Sequence, residues 1–349
     1  MTGSPAAPVR RAGVHLVLRA GPYSVRAGRR TLAVSLALVL AALGLGLLGL
    51  CAGGSWTPPA EVLAALAGHG DEVVVVREWR LPRVAAALVF GAALGLAGAV
   101  FQNLTRNALG SPDVVGLDAG SYTGALFAIT VLGGTSAQLA AGSIAGGLAA
   151  AAAVYALSLR SGLSGMRLVV VGIAVNAMLT ALNAWIVLRA ELEIAMAATG
   201  WSAGSLNGID WNELALPFAV VAALAGLLAV LSPGLRQAAL GDDLAVASGV
   251  RLNRLRLLLV LAGVGCTATV TAVAGPIVFI ALAAPQIGRL LTGAAGVALA
   301  PAALAGAVLL LAADLAAQLL LAPVALPVGV VTTVIGGCYL IGLLVRRAR

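Results

Sequence analysis

Ten apolar runs, each close to the length that crosses a bilayer, constrain this chain more than any other feature. A helix rises about 1.5 Å per residue, so roughly 20 apolar residues cover a hydrocarbon core of about 30 Å. Such runs fall at residues 31–52, 82–102, 112–132, 136–158, 168–188, 213–232, 257–275, 276–293, 299–320 and 327–345. The breaks near 134 and 275 are short and rest on Gly and Pro, which makes those boundaries the loosest. The runs predict an all-α polytopic membrane protein: an Arg-rich segment over 1–30, then one transmembrane domain over 31–349. Composition agrees, because 61% of the 349 residues are hydrophobic and only 10% are charged, against about 25% charged in soluble domains. "GAALG" (91–95) and "GSIAG" (142–146) carry small residues four apart, the spacing that lets spanning helices approach closely.

All 21 basic residues are arginine. Without lysine there is no P-loop lysine, Schiff base or lysine general base, so the chain is not itself a nucleotide-hydrolysing motor of the usual kind. Arginine placement sets orientation, since inner loops carry the positive excess. With both termini inside, only Arg77, Arg80, Arg83 and Arg189 fall outside, while Glu61, Asp71, Glu72, Glu78, Glu191, Glu193, Asp210 and Glu213 are all outside. The net charge of +8 therefore expresses topology in the plasma membrane and implies no nucleic-acid partner. The basic lead is too long for a signal peptide and no small-residue cleavage site follows, so the first run is expected to be a retained span. His15 and His69 are expected in loops, which leaves no histidine for a buried metal site or a Ser-His-Asp triad. Cys51, Cys266 and Cys338 lack CxxC spacing and are expected to be small buried residues.

Few polar side chains lie inside the runs. Asn176, Thr180 and Asn183 share one helical face, as do Thr267 and Thr271. They can glue helices together or line a weakly polar path, and the sequence leaves both open. Asp314, in "LLAADLAAQ", is expected to be the only carboxylate well inside a span, in the outer third of its helix. An intramembrane acid is a functional candidate, but without a membrane-embedded partner it is a poor proton wire. The inner loop 233–256 is longer than a connector requires and is expected to form two short helices broken at Gly241 and Gly249. Its charge and structure suit docking of a soluble partner.

Seven separated motifs together resemble the iron-siderophore and vitamin B12 class of ABC-importer permeases. They are "RLPR" with "GAALGLAGAVFQNLTRNALGSP", then "WSAGSLNGIDW", "LGDDLAVASGV", "AGPIVFIALAAPQIGRLLTG", "LLAADLAAQ" and "LPVGVVT", in the family's order over about 30–345. Within the class, "SPDV", "AGSLNG" and "GGCYLI" are most similar to the G-type subunits that serve ferric enterobactin. The resemblance implies a ten-helix permease with the type II importer fold of the vitamin B12 system. It also implies a second permease subunit, two cytoplasmic ATPases that use ATP and magnesium, and an extracytoplasmic binding lipoprotein. The cargo would be a ferric siderophore, of catecholate type, with haem or cobalamin as alternatives. This chain would bind no cofactor or metal of its own.

The resemblance also assigns residues. Arg80 and Arg83 would face outward and pair with carboxylates of the binding protein. The competing reading is a membrane-interface anchor with Trp79 as its aromatic belt. Gly241, Asp242, Asp243, Ala245 and Gly249 match the ATPase-coupling segment, Asn107 and Leu109 the inner mouth, and Gly165 and Met166 the inner gate. Ala108 stands at a family proline, which is expected to loosen the turn after Asn107. Gln286 stands at a frequent histidine, and Gln318 at an outward arginine. The last change removes one docking charge and points to a heterodimer. Rival classes are an ion-coupled secondary transporter, which needs buried ionisable groups in discontinuous helices, and an intramembrane enzyme, which needs a His/Asp/Glu constellation.

Overall fold

The computed structural model describes residues 15–20, 23–113, 116–159, 165–294, 296, 298–322 and 324–347. Thirteen α-helices account for most of these residues. Every apolar run marked in the sequence falls on one: α1 Arg29–Cys51, α3 Leu81–Thr105, α4 Leu117–Val131, α5 Ser136–Leu159, α6 Gly165–Arg189, α8 Trp211–Ala239, α10 Leu252–Ala274, α11 Ile280–Thr292, α12 Leu299–Leu319 and α13 Val328–Arg347. Three shorter helices lie in the connections: α2 Pro59–Leu66 and α7 Leu192–Ser202 at the outer end, and α9 Asp242–Ala247 at the inner end. Among the described residues seven helices are long and apolar enough to cross a membrane. One of them runs through Val75–Thr105, because a π-helical turn over Val75–Arg80 leads straight into α3.

Two expectations need correction here. β1 (His15–Ala20) and β2 (Tyr23–Gly28) form an antiparallel hairpin, so His15 opens a strand rather than lying in a loop. Cys338 is exposed, whereas Cys51 and Cys266 are buried as expected.

The core is centred on α3, whose middle and inner part are buried almost continuously. Small residues make this possible. A methyl group at Gly91 or Gly95 would overlap the Gly306 or Ala302 carbonyl on α12, and one at Gly98 would overlap the Ala281 carbonyl on α11. The second predicted motif works in the same way: Gly142 and Gly146 of α5 pack against Gly124 and Gly120 of α4 with no room for a Cβ. Lipid supplies no hydrophobic drive between helices, so close backbone contact does that work.

The two short helices, α4 with 15 residues and α11 with 13, cannot cross a bilayer alone. Their starts lie inside the bundle. Gly116, which caps α4, packs on the backbone of Asn176 near the middle of α6. Ala281, at the start of α11, meets Gly98 well down α3. The extended stretch 275–279 thus descends from the outer end of α10 into the bundle. Gly275 (φ 69°) and Phe279 (φ 70°) take left-handed conformations at its two ends, and Ile277 between them is 2% exposed. Irregular backbone at membrane depth is tolerated only when protein covers it or it lines a cavity.

Candidate functional site

At the outer end, Arg80 does not present its charge. It is 9% exposed, and its guanidinium is used on the α1–α2 connection. Nη1 donates to the Leu50 carbonyl at 2.8 Å, the Cys51 carbonyl at 3.1 Å and Thr57 Oγ1 at 3.0 Å, and Nη2 donates to the Ser55 carbonyl at 2.9 Å. Here the residue expected to dock outward places a rigid five-donor fork on the orphan carbonyls where α1 ends. Arg80→Lys, which keeps the charge but loses the fork, should cost roughly 2–3 kcal/mol by stranding carbonyls. Thermal unfolding in lipid nanodiscs measures this, and an unchanged midpoint would contradict the clamp.

Arg83, one turn further along, pairs with Asp314 of α12. Nε donates to Oδ2 at 2.9 Å and Nη2 to Oδ1 at 2.8 Å, while Gln318 Nε2 donates to Oδ2 at 2.9 Å. The side chains are 17% and 1% exposed. Asp314 is therefore not a lone intramembrane acid, and Gln318, at the position of the absent arginine, serves as its second donor. Trp79 is exposed beside them, as an interfacial anchor requires. With Arg80 buried and Arg83 neutralised, the outer surface is acidic on balance. Glu61, Asp71, Glu78, Glu191, Glu193 and Glu213 are exposed there against Arg77 and Arg189.

At the inner end a single carboxylate ties four elements. Asp242, at the start of α9, accepts from Arg106 Nη2 at 2.6 Å and from Arg256 Nη2 at 2.8 Å. Arg106 closes α3 in a left-handed conformation and also donates to the Ala238 carbonyl of α8, and Arg256 belongs to α10. The Arg256 hydrogen bond, helped by both arginine charges, holds the Asp242 carboxyl below the usual carboxylate range. The bridge is thus present above the ordinary aspartate pKa of about 4 and is lost only as pH falls through the lower folded value. Asp242 is accordingly a staple within the chain and not a free docking charge. Ala245 is also buried. Gly241 (φ 134°) and Gly249 (φ 88°) bracket α9 in conformations that side chains rarely adopt. What α9 offers the cytoplasm is Asp243 with exposed Leu240, Leu244 and Val246. The three apolar residues were not picked out from the sequence, although apolar positions in a charged loop are a usable signal.

The remaining candidates separate. Asn183 is buried and bonds α4 twice, accepting from Thr123 Oγ1 at 2.7 Å and donating to the Ala119 carbonyl at 3.0 Å. It is helix glue, whereas Thr180 is exposed and Asn176 half-buried. Thr267 bonds back to the Gly263 carbonyl of its own helix. Asn107 folds its own turn: its side chain accepts from Leu109 N at 3.0 Å and its carbonyl from Gly110 N at 3.0 Å. The turn is closed despite Ala108 at the family proline, and Leu109 is exposed beside it. Gln286 donates to Gln102 Oε1, and Gln102 to the Leu282 carbonyl at 2.9 Å, a buried relay joining α3 and α11. Gly165 and Met166 open α6; the first two positions of the inner-gate loop, 163 and 164, lie outside the described residues.

Sequence reasoning also passed over Asp113 and Asp118 at the broken start of α4. Asp113 accepts from the Phe279 backbone, so it joins the starts of α4 and α11. One oxygen of each carboxylate is buried with no hydrogen-bond partner among the described residues. Among those residues no group of three His, Cys, Asp or Glu could hold a metal.

The described residues thus form a helical membrane bundle entered by an irregular segment at 275–279 and stapled at its inner end by Asp242. The chain belongs to the FecCD transport family, whose model matches residues 38–346. It is 46% identical over 323 residues to the ferric enterobactin transport system permease protein FepG of Escherichia coli (strain K12), covering 92% of this chain and 98% of that one. It is 36% identical over 324 residues to the vitamin B12 import system permease protein BtuC of Salmonella typhi, covering 92% and 97%. Its structure is similar to an inward-facing metal-chelate type ABC transporter, with a TM-score of 0.80 at 28% identity over 90% of this chain and 99% of that chain. The expected type II permease fold is therefore present, with the N-terminal hairpin added. The chain is a multi-pass transport subunit of the cytoplasmic membrane and not an enzyme.

Proposed function

We propose that this chain is one of two permease subunits of an ATP-driven importer that takes up a ferric siderophore, of the catecholate type to which enterobactin belongs. The observation that carries the reading is its 46% identity to a ferric enterobactin permease over nearly the whole of both chains, against 36% for a vitamin B12 permease. ATP and magnesium are used by two cytoplasmic ATPases, which meet the apolar ridge of α9, and this chain binds neither. An extracytoplasmic binding protein delivers the cargo.

The partner permease is a different chain. In support, Arg83 is neutralised by Asp314 and Gln318 stands where the family offers an arginine, so a homodimer would present a largely acidic outer surface. Arg83 Nη1 makes no hydrogen bond among the described residues and is the edge left for a carboxylate of the binding protein. Asp113 and Asp118 are the buried ionisable groups at a helix break that an ion-coupled transporter would need, which keeps that second reading testable. Growth on single iron-loaded siderophores after deletion of the gene separates the cargoes. Growth should fail on catecholates and persist on hydroxamates and haem. Normal growth on every catecholate would overturn the assignment.

A further inference from the structure

The N-terminal hairpin lies outside the residues matched by the family model, and nothing in the transport cycle explains it. Its register pairs Leu16 with Ala27, Leu18 with Val25 and Ala20 with Tyr23. Successive positions of a strand alternate, and the register sets these six, every one apolar or aromatic, at alternate positions of the two strands. The intervening positions pair Val17 with Arg26, Arg19 with Ser24, and His15 with Gly28. An isolated two-stranded hairpin is marginal in water and needs a surface to lie on.

Its position supplies one. β2 ends at Gly28 and α1 begins at Arg29, so the hairpin is continuous with the first span. Arg30 fixes that junction by donating from Nε to the Leu291 carbonyl at 2.8 Å, among the open carbonyls that end α11. The hairpin base is thereby held level with the inner ends of the helices. The first 30 residues contain six arginines and no acid, the composition of a juxtamembrane segment that binds anionic lipid.

We propose that hairpin 15–28 is a lipid-docking element, lying on the inner leaflet with its apolar face toward the acyl boundary and its arginines among anionic headgroup phosphates. Apolar burial and charge attraction act together, as they do for amphipathic elements at an interface. A six-residue strand reaches about 20 Å, so the whole hairpin stays against the surface.

The test is amide hydrogen exchange over residues 16–27 of the full chain in two kinds of nanodisc, one of phosphatidylcholine only and one with about a third phosphatidylglycerol. Protection should rise in the anionic discs and fall back in high salt. Each arginine near such a surface contributes about fivefold to binding, so Arg19→Gln with Arg26→Gln should cut the gain by roughly twenty-five-fold. The permease body should keep its own exchange pattern in that variant, which separates lost docking from lost folding. Equal protection in both lipids, at low and high salt, would overturn the proposal. So would a gain that appears only when the ATPase subunit is added, which would assign the hairpin to a protein contact.

Discussion

Asp314→Ala should destabilise the protein by about 3–5 kcal/mol, the usual result of removing one partner from a buried ion pair. Asp314 is 1% exposed and Arg83 17%, so alanine would strand a guanidinium at the rim of the bundle. The damage should concentrate on the α3–α12 contact, because Gly91, Gly95, Gly306 and Ala302 hold those helices too close for either to shift independently. A double replacement, Arg83→Met with Asp314→Leu, should recover most of the loss, since apolar side chains of similar size often substitute for a buried pair at little cost. Thermal unfolding in nanodiscs decides the matter. A loss below about 1 kcal/mol for the single variant would place the pair among ordinary surface salt bridges.

Asp242→Arg should abolish stimulation of the ATPase while leaving the helices inserted. Three arginines would then meet where one carboxylate now joins Arg106 and Arg256, and α9 would detach from the ends of α3 and α10. Both ion pairs are partly exposed, so their contribution to stability is small, about 1 kcal/mol or less each. The large effect is on position: the exposed ridge of Leu240, Leu244 and Val246 depends on that staple for its orientation. Asp242→Asn, which keeps a hydrogen-bond acceptor, should fall between. Stimulated hydrolysis in proteoliposomes is the readout, and a wild-type rate in Asp242→Arg would show that coupling does not pass through α9.

The positions of the ten long helices were legible because hydropathy acts over windows of about 20 residues, but which of them cross was not, since α4 and α11 are too short to span alone. The Gly-based crossings were legible for a similar reason, since small residues four apart specify a helix face. The partners of charged groups were not. Arg83 meets a carboxylate 231 residues away, and Arg80 meets backbone carbonyls that no side-chain pattern encodes. A motif that resemblance reads as an outward clamp thus became one clamp on the chain's own loop and one internal ion pair. Asn183 shows the same limit, because helical spacing assigns a face but not what covers it. Asp113 and Asp118 were missed because they sit in an apolar run, and hydropathy does not show that its helix begins only at Leu117, inside the bundle.

The central claim, that this permease moves an iron chelate on ATP hydrolysed elsewhere, is tested most directly by uptake of radiolabelled ferric enterobactin into proteoliposomes. They would hold this chain, its partner permease, the ATPase and the binding protein. Uptake should require ATP, stop when the ATPase P-loop lysine is replaced, and continue in the presence of a protonophore. Uptake that survives the lysine lesion but collapses with the protonophore would contradict the account and assign the work to an ion gradient.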